Sequence, residues 1–365
     1  MDLAFSYNFP AIKGVQAGKE YFVAMCPLHI IPKIFLFDED EIPAKHRAQR
    51  IINKNRIPDI TKYMVENHTD YVFSSLTASI DGETVFTPVS ETEAYEDIGT
   101  LSISLDSKFL INDGQHRRAA IEEALKINPE LRDETISVVF FLDEGLRKSQ
   151  QMFADLNRHA VNTTTSIGIL YDYRDQLSIL TKDVVDEIPF LKRYTDRERV
   201  SLSKNSPKVL SLNHIYNANL KLLSKTKGNS VNDKEREFVI DFWSTLTNSI
   251  TEWKQVMNKK LTPSELRVNF VIGHGILFES LGIVGNYLYE HHREHWKKFI
   301  IKLNEVDWSR ENTELWDKRT MINGRIQKNN QTILLTSNQI KKQLELELTN
   351  KEERLETTFT KGASK

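Results

Sequence analysis

The stretch that most constrains the fold is residues 99–125, where an alternating pattern ends at a glycine and a helical pattern follows. Apolar residues alternate with polar ones through Leu101, Ile103 and Leu105, and an apolar run resumes at Phe109 after a turn. Beyond Gly114 the apolar residues take the spacing of one helix face. The segment therefore predicts two strands, a tight turn and a helix in immediate succession.

The turn carries residue types that suit a phosphate. Gly114 can adopt backbone angles that strain other residues, and the free N–H groups of the following helix point forward at its positive end. His116 and Arg117 lie at the same end, and a guanidinium presents a planar fork to phosphate. Asp113 could cap the helix, or bind a metal, a ribose hydroxyl or water. The alternative is that Asp113 only caps the helix and Arg117 only pairs with a surface carboxylate.

The composition excludes several classes of protein. The 365 residues are 39% hydrophobic and 27% charged, which is typical of a globular chain and not of a disordered or collagenous one. A net charge of −2 excludes a globally basic nucleic-acid binder. The single cysteine, Cys26, cannot form an internal disulfide, and a buried inert thiol is predicted there. No membrane-spanning run or signal-peptide pattern is visible, so we expect a cytoplasmic location without membrane attachment.

The pattern changes from mixed to helical along the chain. Strands and short helices alternate in the first half, and helix follows helix in the second, so we predict an α+β fold. Its parts are a mixed-sheet domain at residues 1–170 and an all-α domain at 171–365.

Some local predictions are more specific. Residues 21–37 predict strand, break, strand around Pro27 and Pro32, and Asp81-Gly82 predicts a two-residue hairpin. Helices are predicted at 44–57, 59–64 and 146–160, and the Leu-spaced tail from Asn338 to Glu356 predicts one charged helix.

Two local concentrations of positive charge interrupt this balanced composition. The first runs from Lys45 to Arg56 without an acidic residue, and the second runs from Lys192 to Lys208 with Asp196 and Glu198 inside it. Either could be an ordinary solvated surface, and either could contact phosphate groups.

The phrase FLINDGQHRRAAI, residues 109–121, resembles the hallmark of the DGQHR-domain family, and the surrounding pattern resembles the DndB family of DNA phosphorothioation. Two further blocks are similar to that family: MFADLNRHAVNTTTS at 152–166 and GRIQKNNQTILLTSNQIKKQLELEL at 324–348. The resemblance covers most of the chain, with its most specific residues at 109–121.

The resemblance implies a fold and a site. It implies an N-terminal domain related to the ParB/sulfiredoxin fold, in which a strand followed by such a turn binds nucleotide phosphates. The nucleotide- or phosphate-binding residues that it implies here are Asp113, Gly114, Gln115, His116, Arg117, Arg118 and Asn157. It points to no metal and to no catalytic residue.

The resemblance also implies a function. DndB-like proteins are described as repressors that bind promoter DNA of the modification operon, so we expect duplex DNA as the partner. Phosphate contacts are then expected from Arg47, Arg50, Lys54, Arg56, Arg193, Arg197 and Arg199. A palindromic promoter would call for a homodimer, and other sulfur-modification proteins are further expected partners.

Two other functions remain open at this point. One is an enzyme that binds and hydrolyses a nucleoside triphosphate such as ATP or CTP at the same turn, for which Asp113, His116 or Asn157 would have to supply the base or metal ligand. The other is a scaffold for modification enzymes that binds neither DNA nor nucleotide.

Two further groups of residues favour structural roles. The histidines at 291, 292 and 295 have metal-compatible spacing, but a solvated helix end is the simpler interpretation. The five tryptophans occupy core-like positions; any one of them could stack on a base, but no pattern in the sequence supports that role.

Overall fold

The computed structural model describes residues 5–35, 54–142, 151 and 164–363. They belong to two compact units, residues 1–161 and residues 162–365, each of which is described by itself. The helix predicted at 146–160 and most of the one predicted at 44–57 lie outside the described residues. Among the helices of the described residues, none has the length and hydrophobicity that crossing a lipid bilayer requires.

The first unit is built on a seven-stranded mixed sheet with the order β4-β5-β1-β2-β7-β3-β6. All neighbouring strands are antiparallel except β7 and β3, which are parallel. The strands are β1 (Ser6–Gln16), β2 (Lys19–Pro27), β3 (Leu76–Asp81), β4 (Thr84–Pro88), β5 (Ile98–Ser104), β6 (Lys108–Asp113) and β7 (Thr135–Leu142). The α-helices that lie wholly within the described residues of this unit are α1 (Ile31–Ile34), α2 (Ile57–Glu66) and α3 (Gln115–Ile127).

Two short connections cross from one end of this sheet to the other. Gly82 and Glu83 join β3, the sixth strand in the order, to β4, the first, and residues 105–107 join β5 to β6. Because two linking residues span only about 11 Å, the two ends of the sheet must lie close together. The sheet is therefore curled, and Tyr7 on β1 meets Phe109 on β6 with 6.4 Å between ring centroids.

The hairpin predicted at Asp81-Gly82 is wrong, although both of its strands exist. In the sheet β3 lies between β7 and β6, whereas β4 pairs with β5. Gly82 has φ +155°, which is not the geometry of a two-residue hairpin turn. A β-carbon on Gly82 would lie 2.8 Å from the Cα of Ser107 in the second crossing connection. Because Gly82 has no side chain, the two crossing connections can pack against each other. The local sequence is compatible both with such a connection and with a hairpin turn.

Alternate residues of the strands form the core of the first unit. Phe9, Phe22, Leu101 and Phe140 are buried, together with Ile121 of α3.

The strand predicted up to Pro27 is confirmed as β2, but the second strand predicted within residues 21–37 is wrong. The helix α1 begins there instead, because the ring of Pro32 fixes a φ angle that suits the first turn of a helix. The helix predicted at 59–64 is confirmed as part of α2.

The second unit is mostly helical. Between residues 164 and 363, which the structure describes, it has twelve helices of four or more residues: α4 (Thr165–Tyr171), α5 (Gln176–Glu187), α6 (Pro189–Tyr194), α7 (Leu212–Leu222), α8 (Asp233–Ser249), α9 (Thr251–Met257), α10 (Pro263–Asn269), α11 (Gly275–His291), α12 (Trp296–Lys302), α13 (Thr313–Trp316), α14 (Asn330–Gln343) and α15 (Asn350–Ala363). Two pairs of two-residue strands accompany them: β8 (Thr195–Asp196) with β9 (Leu210–Ser211), and β10 (Met321–Ile322) with β11 (Arg325–Ile326). The predicted fold class, a mixed sheet followed by a helical region, is confirmed.

The tail predicted as one helix from Asn338 to Glu356 is two helices. The helix α14 ends at Gln343, and Glu345 has φ +57°, which breaks the helical path before α15 begins at Asn350. Buried charges hold the two helices together: the ammonium of Lys341 lies 2.7 Å from Glu352. The tail therefore packs within its own unit.

Candidate functional site

The predicted strand, turn and helix are confirmed around Gly114. The strand β6 ends at Asp113, Gly114 has φ +105° in the left-handed region, and α3 begins at Gln115. Residues with a β-carbon are strained at such a φ. A β-carbon at this position would also overlap the side chain of Leu76 in the neighbouring strand β3. The backbone angle and the packing against Leu76 therefore both favour glycine at Gly114.

The guanidinium of Arg117 binds oxygens of its own unit. Its Nη2 donates to Asp113 Oδ2 at 2.5 Å, and its Nη1 donates to the carbonyl of Ser75 at 2.8 Å and to the carbonyl and hydroxyl of Ser74. Its side chain is 15% exposed. Arg117 thus ties the start of α3 to the segment that leads into β3. The carboxylate of Asp113 pairs with it instead of capping the helix.

Arg118 is also engaged inside the unit. Its Nε donates to the carbonyl of Phe35 at 2.8 Å and its Nη2 to the carbonyl of Pro32 at 3.0 Å, while Nη1 pairs with Glu122. Arg118 is buried, and its hydrogen bonds connect α3 to α1. The two arginines therefore act as internal braces of the fold.

The backbone of the turn keeps the geometry on which the phosphate prediction depends. The first hydrogen bond of α3 runs from the N–H of Arg118 to the carbonyl of Gly114, so the N–H groups of the three preceding residues point out of the helix start. Gln115 is buried and His116 is half-buried. Phosphate binding at Asp113–Arg118 stays a prediction, and Asn157 lies outside the described residues.

The first unit also has a cavity of about 470 Å³, and its lining contains none of the residues 113–118. Its floor includes Leu28 and Ile136, and its rim includes Asp70 and Glu134, with no lysine or arginine in the lining. The hydroxyl of Tyr71 donates to Glu134, and burial raises the pKa of Tyr71. Because its charged rim is acidic apart from one histidine, this cavity does not suit a nucleoside triphosphate.

The second basic patch lies largely on a loop. We define the basic loop as residues 196–208, which run from β8 to just before β9. Arg199 and Lys204 on the loop are exposed, as are Lys192 and Arg193 at the end of α6. Arg197 differs from them, because its Nη2 lies 2.5 Å from Asp186 Oδ1 in an ion pair.

Arg267 of α10 donates several hydrogen bonds to the backbone of the basic loop. Its Nη2 donates to the carbonyls of Lys204 at 2.9 Å and Ser206 at 2.7 Å, and its Nη1 donates to the carbonyl of Lys208. Burial lowers the pKa of Arg267. Sequence reasoning missed this residue, because it lies about sixty positions beyond the loop and belongs to no motif.

The first basic patch is described only at its end. Lys54 and Arg56 form a single exposed 3₁₀ turn, Lys54–Arg56, just before α2. Arg47 and Arg50 lie outside the described residues.

The remaining candidates are structural. Cys26 is fully buried and burial raises its pKa, which confirms the inert thiol. The ring of His291 packs on Tyr287 and that of His292 on Phe299, with centroids 4.5 and 4.8 Å apart. Within the described ranges no group of three or more His, Cys, Asp and Glu side chains could hold a metal ion. All five tryptophans are buried in the second unit, as predicted.

These observations define a class: a curled mixed sheet with an Asp-Gly-Gln-His-Arg turn, followed by a helical unit with an exposed basic loop. The model of the DndB family, described as DNA-sulfur modification-associated, matches residues 9–347. The chain belongs to the DndB family, which associates it with DNA sulfur modification. Neither the search of curated proteins nor that of solved structures found a match. The relation to the ParB/sulfiredoxin fold therefore stays a prediction.

Proposed function

We propose that this protein is a DNA-binding transcriptional repressor of a DNA phosphorothioate modification operon, and that it binds promoter duplex DNA. The observation that carries the proposal is the ordered, exposed basic loop in a member of the DndB family. Phosphate contacts from arginine and lysine supply most of the affinity of such proteins and position them on the duplex.

The cations that this proposal assigns to DNA binding are confined to the two basic patches. The whole chain carries a net charge of −2, so nonspecific attraction to DNA is weak outside the patches. Arg193 and Arg199 present exposed guanidinium groups in the second unit, and Lys54 and Arg56 present exposed cations in the first. Arg47 and Arg50 belong to the same proposed contact set.

The turn at Asp113–Arg118 has a secondary place in the proposal. Because Arg117 and Arg118 donate to oxygens of their own unit, a phosphate there would rely on the N–H groups at the start of α3. The alternative function, nucleotide binding and hydrolysis at this turn, serves as a competing outcome of the experiment below.

The test is fluorescence anisotropy with a duplex from the region upstream of the protein's own operon, across a salt series. The double variant Arg193→Ala/Arg199→Ala should weaken binding and should reduce the slope of log K against log salt by about 1.8, which corresponds to two lost phosphate contacts. The control is Lys351→Ala/Arg354→Ala, which removes two exposed cations from α15 and should leave the slope unchanged.

Three results would count against the proposal or against one of its parts. An unchanged salt slope in Arg193→Ala/Arg199→Ala would remove both the end of α6 and the basic loop residue Arg199 from the DNA interface. Absent DNA binding, together with ATP or CTP turnover that is lost in Arg117→Ala, would favour the nucleotide-hydrolysing enzyme. An intact promoter palindrome bound by one copy, measured by analytical ultracentrifugation, would contradict the homodimer.

A further inference from the structure

We infer that Arg267 is a positioning residue for the DNA interface: it holds the basic loop in one conformation, so that Arg199 and Lys204 meet the phosphates without an ordering step, and does not contact DNA itself. The inference rests on the proposed function and goes beyond it, because it separates the residue that shapes the surface from the residues that bind.

One guanidinium anchors the far half of the basic loop. Arg267 donates from Nη2 to the carbonyls of Ser203, Lys204 and Ser206 at 3.3, 2.9 and 2.7 Å. Its Nη1 donates to the carbonyl of Lys208. Four carbonyls of one loop thus converge on the planar fork of a single side chain. A lysine could not reproduce this arrangement, because its ammonium lacks the fork.

The near half of the basic loop has its own anchor. The carboxylate of Asp196 accepts from the N–H of Glu198 at 3.0 Å and of Arg199 at 2.8 Å. The parallel pairing of β8 with β9 closes the two ends of the loop. In the far half, the hydroxyl of Ser264 adds a bond of 2.9 Å to the carbonyl of Lys204. The hydroxyl of Ser166 also donates to the carbonyl of Arg199 at 2.9 Å, so the backbone is hydrogen-bonded on both sides of Arg199 and of Lys204.

The same geometry sorts the cations into two groups. Arg199 and Lys204 are exposed, whereas Arg197 is paired with Asp186, and Lys208 donates to the carbonyl of Arg193 at 2.8 Å. Arg197 and Lys208 therefore help to shape the surface, and the exposed cations are the ones available to a polyanion.

An anchored loop affects affinity through entropy. A flexible loop must lose backbone and side-chain freedom when it binds, and this cost is subtracted from the gain of each phosphate contact. The anchored loop has already lost this conformational freedom when the protein folds, so DNA binding does not have to order it. Removal of the anchor should therefore lower affinity without changing how many phosphates are contacted, and the number of contacts is what the salt slope reports.

The first test needs no DNA. Trypsin cleaves after Arg199 and Lys204, and the rate of cleavage at these two bonds in the folded protein reports how well the loop is held. Arg267→Gln and Arg267→Lys should both be cut about tenfold faster, with sites mapped by mass spectrometry. The control Arg236→Gln removes a guanidinium that pairs with Asp183 at 2.7 Å, outside the loop and away from Arg267, and should be cut at the wild-type rate.

The second test uses the same duplex and salt series as the test of the proposed function. Arg267→Gln should bind about tenfold more weakly with an unchanged salt slope, whereas Arg199→Ala should lower the slope by about 0.9. Tryptophan fluorescence and circular dichroism confirm that each variant is folded, and Arg267→Lys separates loss of the fork from loss of charge.

The outcomes distinguish the two proposals. Wild-type cleavage rates in both Arg267 variants would overturn the anchoring role, whatever the DNA result. A salt slope that falls by about 0.9 in Arg267→Gln would show that Arg267 contacts DNA, which overturns positioning. Absent binding by the wild type would overturn the proposed function and the DNA role of the loop, while faster cleavage would still establish the anchor.

Discussion

Gly114 is the residue on which the turn between β6 and α3 depends. It combines a left-handed φ of +105° with direct packing against Leu76. Arg117 and Arg118, which follow in the motif, donate inward to carbonyl oxygens and carboxylates. At the scale of single residues, the main structural role of the DGQHR motif is to attach the start of α3 to the edge of the curled sheet.

Replacement of Gly114 by alanine should cost about 2–4 kcal/mol of unfolding free energy, because left-handed strain adds to the overlap with Leu76. The matched control is Gly18→Ala. Gly18 has φ +74° but open space around its Cα, so only the strain of about 1 kcal/mol applies there. Chemical denaturation of both variants measures the difference. Equal losses in the two variants would mean that the Leu76 contact contributes nothing.

Buried charges, and not an apolar face alone, attach the element α15 to the second unit. Glu356 accepts from both terminal nitrogens of Arg319 at 2.8 Å and from Asn338 at 3.0 Å, and it pairs with Lys342. Burial by itself would raise the pKa of Glu356, but the hydrogen bonds from Arg319, Lys342 and Asn338 outweigh it and lower the pKa to about 2.

This lowered pKa predicts an acid-dependent loss of stability. The folded pKa lies below the ordinary value of 4.5, so the stabilisation, on the order of 3 kcal/mol, is present above pH 4.5 and is lost as the pH falls toward 2. The difference in unfolding free energy between wild type and Glu356→Gln should therefore narrow between pH 6 and pH 3. Urea denaturation measures it, and Glu353→Gln on the exposed face of α15 is the control. A gap that stays constant with pH would refute the assignment.

The whole molecule carries one natural probe in each unit. Cys26, the only cysteine, is fully buried in the core of the first unit, and all five tryptophans belong to the second. Thiol labelling therefore reports opening of the first unit, and tryptophan fluorescence reports unfolding of the second.

If the two units fold as separate domains, Gly114→Ala should speed the labelling of Cys26 under native conditions and leave the tryptophan unfolding midpoint unchanged. Labelling with a chromogenic disulfide reagent and urea titration of the same sample measure both. A tryptophan midpoint that moves in step with the labelling rate would show instead that the units unfold as one cooperative structure.

Much of the local structure was predictable from the sequence. Alternation of apolar residues predicted β5, and the turn at Gly114 with its helix followed from a change of period, because both depend on neighbours along the chain. The inert Cys26 and the helical second half followed from composition and spacing. The prediction of a hairpin at Asp81-Gly82 was wrong for the same reason. These two residues are compatible with a hairpin and with a crossing connection, and only the pairing partners of β3 and β4 distinguish the two structures.

By itself, then, the sequence determined the class of fold, the DGQHR turn, the membership of the DndB family and the absence of a global positive charge. The tertiary structure decided which side chains each polar group meets. It directed Arg117 and Arg118 inward, paired Arg197 with Asp186, and brought Arg267 to a loop about sixty residues away. The physical reason is that a hydrogen bond between distant segments depends on their relative placement in space, which no local pattern encodes.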